Sequence, residues 1–225
     1  VAMARREERL QELKDAHPAN VHCFKLDVRD KTAVEHVFAE AKERFGAPDV
    51  LVNNAGLALG LEPAQACSLD DWDTMVDTNI KGLLYCTRAA LPGMVERRHG
   101  SVLNLSSVAA FSAGPRMCLY YASKEFVRSF SEAVAEEVRS TGVTVTALCP
   151  GPTATGFEQA AQMKNSHMFS MFKPASAAAV AEAGFRAAQK GKTLRYCGWP
   201  THTVSIAARL LPRSVCRRFM MKVNG

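Results

Sequence analysis

Apolar residues along the chain recur in two alternating patterns. Short apolar runs such as residues 101–107 and 143–150, the second rich in β-branched residues, are typical of buried strands. Between such runs the apolar residues repeat at helical spacing, as in Val34, Val37, Phe38, Ala41 and Phe45. Strands that alternate with helices of this length indicate βαβ units, which build a parallel sheet covered by helices on both faces.

The pattern places these elements along the whole chain. Strands are predicted at residues 1–4, 21–28, 49–56, 101–107, 143–150 and 193–197. Helices are predicted at residues 5–16, 34–45, 68–98, 119–140 and 176–190 and over the basic C-terminal segment. Ser68 with Asp71 forms a capping box at the start of the third helix. No linker divides the chain, so residues 1–225 are predicted to form one α/β domain with a doubly wound parallel sheet, a Rossmann-like fold.

Composition and charge exclude several classes of protein. The chain is 48% hydrophobic and 22% charged, as in globular proteins, and no apolar run reaches the length of about 20 residues that spans a bilayer. The net charge of +6 is accompanied by no nucleic-acid-binding motif, so no nucleic acid is expected. The seven cysteines and six histidines form no CxxC or HxxxH pattern, which favours reduced thiols, a cytoplasmic location and no metal site.

Polar residues and glycines follow four of the predicted strands. In a doubly wound sheet, ligands bind beyond the carboxyl ends of the strands. The residues at those ends are therefore candidates for one ligand crevice. They are Asp27 and Val28, Asn53 to Gly56, Ser106 and Ser107, and Pro150 and Gly151.

A tyrosine pair precedes a lysine at the start of the fourth predicted helix. Tyrosine has an ordinary pKa near 10, and a lysine ammonium beside it favours the phenolate, which suits acid–base chemistry at a carbonyl or alcohol oxygen. Tyr120 lies four residues before Lys124 and Tyr121 lies three before it. Both spacings bring a side chain to the same helix face, so helical geometry leaves both tyrosines open as candidates.

Five motifs in a fixed order resemble the short-chain dehydrogenase/reductase (SDR) family. They are NNAG at 53–56, DTNIKG at 77–82, NLSS at 104–107, YYASK at 120–124 and CPGPTAT at 149–155. The resemblance implies a Rossmann-like fold, hydride transfer between NADP(H) or NAD(H) and a small carbonyl or alcohol substrate, and a homodimer or homotetramer. In this family a serine lies thirteen residues before the catalytic tyrosine. That spacing matches Ser107 with Tyr120, whereas counting back from Tyr121 leads to Val108.

The resemblance also assigns roles to individual residues. The catalytic residues it implies are Asn79, Ser107, Tyr120 and Lys124, with Asn79 linking Lys124 to solvent in a proton relay. An acidic residue at the end of the second family strand binds the ribose of NAD, but Arg5 and Arg6 stand there, and guanidinium groups suit the 2′-phosphate of NADP(H). The expected cofactor contacts are Arg5, Arg6, Asp27, Val28, Asn53, Ala55, Gly56, Asn79, Tyr120, Lys124, Pro150, Gly151, Thr153 and Thr155.

The family's first strand and its TGxxxGxG loop, which holds the pyrophosphate, do not occur in these residues. The fold is therefore expected to be incomplete at its N-terminal side, with a gap in the sheet. Two interpretations stay open: residues 1–225 are part of a longer enzyme, or the chain is a shortened relative that binds NADP weakly and is poorly stable. In the second case a non-catalytic, partner-binding protein is the alternative function.

The C-terminal third bears on the substrate and on other partners. Residues 154–173 fall where the family keeps its substrate lid, and their methionines and phenylalanines suggest an apolar pocket wall and an apolar substrate. The segment 205–223 is basic and amphipathic. It is able to touch a membrane surface, although packing against the domain or a partner subunit is the favoured interpretation.

Overall fold

The computed structural model describes residues 1–155 and 174–225. Its strands are β1 Ala2–Ala4, β2 Cys23–Lys25, β3 Val50–Asn53, β4 Gly100–Leu105, β5 Val143–Pro150, β6 Thr153–Ala154, β7 Ala175–Ser176 and β8 Leu194–Cys197. Its helices are α1 Glu7–Ala16, α2 Lys31–Phe45, α3 Leu69–Val76, α4 Leu83–Glu96, α5 Cys118–Glu137, α6 Ala177–Gln189, α7 Trp199–Leu210 and α8 Arg213–Asn224. A π-helical segment, Asp77–Gly82, joins α3 to α4, and 3-10 helices span Ala64–Ala66 and Val108–Phe111.

The central sheet has four parallel strands in the order β3-β4-β5-β8. β5 lies inside it, paired with β4 from Val143 to Leu148 and with β8 from Ala147 to Pro150. Buried parallel strands favour β-branched residues, which explains the run of valines and threonines in β5. Parallel strands connected by helices confirm the predicted α/β, Rossmann-like class.

Side chains of successive residues in β4 and β5 enter two separate cores. Val102 and Val145 pack with residues of α4 and α5, whereas Leu103 and Leu148 pack with Val180 of α6. Because side chains alternate across a strand, α4 and α5 cover one face of the sheet and α6 covers the other. The carboxyl ends of β4 and β5 are thereby held between helices on both sides.

β1 and β2 form a parallel sheet of their own. Within the described ranges β1 pairs only with β2, and β3 pairs only with β4, so the predicted gap lies between β1 and β3. The two sheets are connected through a core in which Leu26, Val34 and Cys86 are buried together. Val50 and Val52 of β3 stay exposed at this edge.

Two predicted helices are divided in the structure. The single helix expected over 68–98 begins as predicted, with Ser68 accepting a hydrogen bond from the Asp71 amide, but the π-helical segment interrupts it. The single C-terminal helix is two helices, α7 and α8, because Pro212 lacks the amide hydrogen that a continuous helix needs. The predicted lid at 154–173 falls almost wholly outside the described residues. No helix in the described ranges is both long and apolar enough to cross a bilayer.

Candidate functional site

Three of the sequence-predicted catalytic side chains line one cavity. The cavity has a volume of about 460 Å³, and Ser107, Tyr120 and Lys124 all contribute to its wall. Ser107 follows β4, where its hydroxyl accepts a hydrogen bond of 3.1 Å from the Ala109 amide at the start of a 3-10 helix. Tyr120 and Lys124 lie in the first two turns of α5, one helical turn apart. The strand end and the helix start thus present two hydroxyls and an amine to the same space.

Lys124 is the buried cation of this site. Its side chain is 5% exposed, and Nζ donates a hydrogen bond of 2.9 Å to the Leu105 carbonyl at the end of β4. Nζ also lies 5.8 Å from the centroid of the Tyr120 ring. Burial lowers the pKa of Lys124 to about 8 because the charged form loses its hydration. The amine is therefore close to its titration point at mildly alkaline pH.

The pKa of Tyr120 differs in direction from the sequence expectation. Burial raises the pKa of Tyr120 to about 12, and a hydrogen bond with the Ser107 side chain opposes that increase. The phenolate loses its hydration on burial, and this raises the pKa of Tyr120 by more than the hydrogen bond with Ser107 lowers it. In this state of the site Tyr120 is a neutral phenol, the form that donates a proton.

Tyr121 occupies a different environment from its neighbour. Its ring is buried in the core cluster that also contains Ala58 and Ala109, and it packs against Gly114. A β-carbon at position 114 would lie 2.2 Å from the Tyr121 ring, so only glycine fits there. The Tyr121 hydroxyl donates a hydrogen bond of 3.4 Å to Asn224 at the end of α8. Tyr121 does not line the large cavity, and its contacts are those of a packing residue.

Asn79 lies behind Lys124 in the π-helical segment. Its side chain is 2% exposed and bonds the Leu57 backbone in both directions, accepting from the amide at 2.9 Å and donating to the carbonyl at 2.8 Å. It also donates to the Ser123 hydroxyl at 3.0 Å. Asn79 therefore joins α5 to the turn after β3. Its expected role in a proton relay stays a prediction.

The predicted cofactor residues other than Asn79 fall into three groups. One group lines the cavity: Gly56, Pro150, Gly151, Thr153 and Thr155, with Tyr120 and Lys124. A second group lies at the ends of β1 and β2, where Arg5 and Arg6 are exposed. There the Arg29 guanidinium holds the pKa of Asp27 below its usual range by hydrogen bonding, with a further contribution from Arg5.

The third group does not line the cavity. The Asn53 side chain points between strands and donates to Thr87 at 3.0 Å and to Asn104 at 2.8 Å. Val28 packs against Gly82 of the π-helical segment, at which a β-carbon would lie 2.6 Å from a Val28 methyl group. Ala55 is exposed in the turn after β3 and does not line the cavity.

Two serines hold the site together in a way that the sequence did not indicate, although Ser106 had been named as a candidate for the ligand crevice. The Ser106 hydroxyl donates 2.8 Å to the Lys124 carbonyl, which fixes α5 to the end of β4. Ser123 is fully buried, donates to the Tyr120 carbonyl at 2.7 Å and accepts from Asn79. The signal for both was their position inside the NLSS and YYASK motifs, next to residues that had already been assigned roles.

A sequence profile described as short chain dehydrogenase matches residues 1–166, most of the chain. The chain belongs to the short-chain dehydrogenase family. Its family membership agrees with the strand order and with the position of the cavity at the carboxyl ends of β4 and β5.

Curated relatives in the family carry dehydrogenase and reductase names. An NADP-dependent 3-hydroxy acid dehydrogenase of Escherichia coli strain K12 is 49% identical over 151 residues, covering 67% of this chain and 61% of the relative. Sulfoacetaldehyde reductase 2 of Chromohalobacter salexigens is 46% identical over 160 residues, covering 70% of this chain and 64% of the relative. The chain therefore spans about three fifths of the length of these relatives.

Solved structures share the fold over most of the chain. The closed form of serine dehydrogenase complexed with NADP⁺ matches with a TM-score of 0.81 and 39% identity, covering 87% of this chain and 83% of that one. A short-chain dehydrogenase from Streptomyces avermitilis matches with a TM-score of 0.80 and 26% identity, covering 91% of this chain and 81% of that one.

Proposed function

We propose that this chain carries the proton-transfer half of an NADP(H)-dependent oxidoreductase that interconverts a carbonyl and an alcohol. The observation that carries the proposal is the convergence of Ser107, Tyr120 and Lys124 on one cavity. Membership of the short-chain dehydrogenase family, and relatives that are named NADP-dependent dehydrogenases, support the same reaction type.

The chain's residues divide the chemistry at the substrate oxygen. In the reductive direction, the Tyr120 hydroxyl donates its proton to the carbonyl oxygen, and the Ser107 hydroxyl donates a hydrogen bond to that oxygen as negative charge develops. Protonated Lys124 stabilises the phenolate that Tyr120 leaves. In the oxidative direction the same phenolate removes the proton of the alcohol.

The residues around the cavity fit NADP(H), which would supply or accept the hydride when bound. A β-carbon at Gly56 would lie 3.0 Å from Lys124 Nζ and 3.5 Å from Asn79 Oδ1, so glycine keeps this wall open to a ligand. Gly151 and Thr153 line the same space from β5 onward. At the end of β1, the exposed Arg5 and Arg6 have the charge and the planar donors that bind a 2′-phosphate.

The proposed substrate is a small molecule whose reacting carbon carries an apolar group. The cavity wall near Ser107 and Tyr120 is formed mainly by apolar side chains, among them Val108, Ala109 and Met117. Such a wall binds apolar substrate groups through burial and leaves orientation to the few polar atoms. The relatives are named for hydroxy acid, serine and sulfoacetaldehyde substrates, so charged substrates belong in the same assay panel.

The test titrates NADPH into the chain of residues 1–225 and then assays aldehydes, apolar ketones and 3-hydroxy acids. Tyr120→Phe is expected to lower kcat at least about 100-fold because it removes the proton donor, whereas its matched control Tyr121→Phe keeps most of the activity. Equal turnover in wild type and Tyr120→Phe would show the assigned acid–base role to be wrong. NADPH binding by an N-terminally extended chain but not by residues 1–225 would identify these residues as part of a longer enzyme. No NADPH binding by either chain would favour the non-catalytic alternative.

A further inference from the structure

The junction of α7 and α8 exposes apolar side chains beside arginines. Leu210, the last residue of α7, is 78% exposed, and Leu211 and Val215 are each 48% exposed. Ile206 is exposed one turn earlier on α7. Arg209, Arg213, Arg217 and Arg218 are exposed around them. These eight residues are here called the basic corner.

Other faces of the two helices hold them to the domain. Thr201 and Ser205 of α7 and Val223 and Asn224 of α8 are buried. Asn224 Nδ2 donates 2.8 Å to the Pro115 carbonyl in the segment before α5. Contacts of these buried residues therefore hold α7 and α8 to the domain, and Leu210 and Leu211 are not needed for this. Packing among residues 1–155 and 174–225 does not account for the apolar residues of the basic corner.

Charge is strongly segregated towards this end of the chain. Nine of the 28 Lys and Arg residues lie in residues 183–225, which contain none of the 22 Asp and Glu residues. This segment therefore carries a formal charge of +9, and residues 1–182 carry −3. A partner for the basic corner has to be negatively charged and must also offer an apolar phase for its leucines.

Two other kinds of partner satisfy only one of these conditions. In a symmetric dimer through the basic corner, the same patch faces itself, so the arginines would lie opposite one another with no acidic residue of 183–225 to pair with. Nucleic acid matches the charge, but its phosphate backbone leaves the exposed Leu210, Leu211 and Val215 without apolar partners.

We propose that the basic corner docks on the surface of an anionic lipid bilayer. The arginines bind phosphate and carboxylate headgroups, and Leu210, Leu211 and Val215 enter the boundary between headgroups and acyl chains. Both components are required, because neither a few basic residues nor a few apolar ones hold a protein at a bilayer firmly. The bilayer is touched from one side only and is not crossed.

The test measures co-sedimentation of the chain of residues 1–225 with phosphatidylcholine vesicles, with and without about one third phosphatidylserine. We expect binding to the anionic vesicles at least about tenfold stronger than to the neutral ones, and weaker at high salt. Leu210→Ser/Leu211→Ser and Arg213→Glu/Arg217→Glu are each expected to reduce binding about tenfold.

The controls separate docking from general charge and from folding. Leu69→Ser removes an equally exposed leucine, 71% exposed at the start of α3, and Lys190→Glu/Lys192→Glu changes exposed lysines beyond the end of α6. The leucine control is expected to bind like wild type, and the lysine control is expected to lose less binding than the arginine variant. Thermal melts confirm that each variant is folded.

Several outcomes would overturn the proposal. They are no binding of wild type to anionic vesicles, and binding that Leu210→Ser/Leu211→Ser leaves unchanged. A dimer that this double variant dissociates would instead identify the basic corner as an interface between copies. Binding to a DNA fragment that is as strong as vesicle binding and insensitive to the leucines would point to nucleic acid.

Discussion

Lys124 and Tyr120 show how burial sets the chemistry of individual residues in this site. Pattern and spacing identified both residues, but they gave the wrong direction for the tyrosine pKa, which burial raises to about 12. Burial also lowers the pKa of Lys124 to about 8. A sequence reveals which groups are close to one another along a helix, whereas their hydration depends on the surrounding elements.

Replacing Lys124 by Met is expected to change how stability depends on pH. The folded-state pKa of about 8 lies below the ordinary lysine value of 10.5, so between these values the folded chain binds fewer protons than the unfolded chain. The wild type therefore gains stability relative to Lys124→Met as pH rises from 8 to 10.5, by up to about 3 kcal/mol. Urea denaturation of both proteins at pH 7 and pH 10 measures this difference. If the two proteins differed in unfolding free energy by the same amount at pH 7 and pH 10, Lys124 would not be a buried cation.

Arg116 combines two unfavourable features at a single position. It adopts a left-handed backbone with φ of 67°, and its buried Nε has no hydrogen-bond partner among the described residues. Arg116→Gly is expected to be more stable than Arg116→Ala by about 1 kcal/mol, because both lose the guanidinium but only glycine removes the backbone strain. Melting temperatures about 3 °C apart would show this. A lower melting temperature for the glycine variant would indicate that the turn is not strained.

At the scale of elements, local pattern predicted six of the eight described strands and most helices, but not the two-residue strands β6 and β7. Tertiary contacts decided the rest. β5 begins and ends where the sequence placed it, because a buried, β-branched strand has a strong local signal. The π-helical segment had no such signal, since Asn79 in it bonds the distant Leu57 backbone. Likewise, nothing local indicates that Asn224 reaches Pro115, 109 residues away.

The contact of α8 with the start of α5 is expected to depend on Asn224. This residue is 1% exposed, donates to the Pro115 carbonyl and accepts from Tyr121. Asn224→Ala leaves that part-buried carbonyl without its hydrogen-bond donor and is expected to cost about 2 kcal/mol of unfolding free energy. Tyr121→Phe loses only the 3.4 Å hydrogen bond and is expected to cost less than about 1 kcal/mol. Urea denaturation measures the unfolding free energies of both variants. Equal losses would mean that the hydrogen bond from the Tyr121 hydroxyl, and not the one to the Pro115 carbonyl, provides the stabilisation.

At the scale of the whole molecule, the separate sheets leave strand edges that have no partner among residues 1–155 and 174–225. The sequence predicted this gap through the family's strand order, not through any local feature of β1 or β3. Within the described residues, β3 is bonded along one edge only, and Val50 and Val52 are exposed there. Free edges with apolar side chains are sites at which another strand adds.

Val52→Lys is therefore expected to slow self-association of the chain severalfold. A lysine on an edge strand makes the approach of a second strand unfavourable, because its charge would lose hydration at the contact. Light scattering of concentrated samples during mild heating measures the rate. Leu69→Lys is the matched control, since Leu69 is even more exposed than Val52 but lies on a helix. Equal slowing in both variants would mean that net charge, and not the strand edge, controls association.

The segregation of charge between residues 1–182 and 183–225 also has a consequence for motion in solution. Opposite net charges on two segments of a folded chain give it a permanent electric dipole, which an isoelectric point near 9.0 does not reveal. Within about 8 Å of a negatively charged surface, at physiological ionic strength, the field acts on this dipole and turns the molecule before contact. The C-terminal helices would then arrive first in most encounters, so the molecule's orientation is selected during its approach.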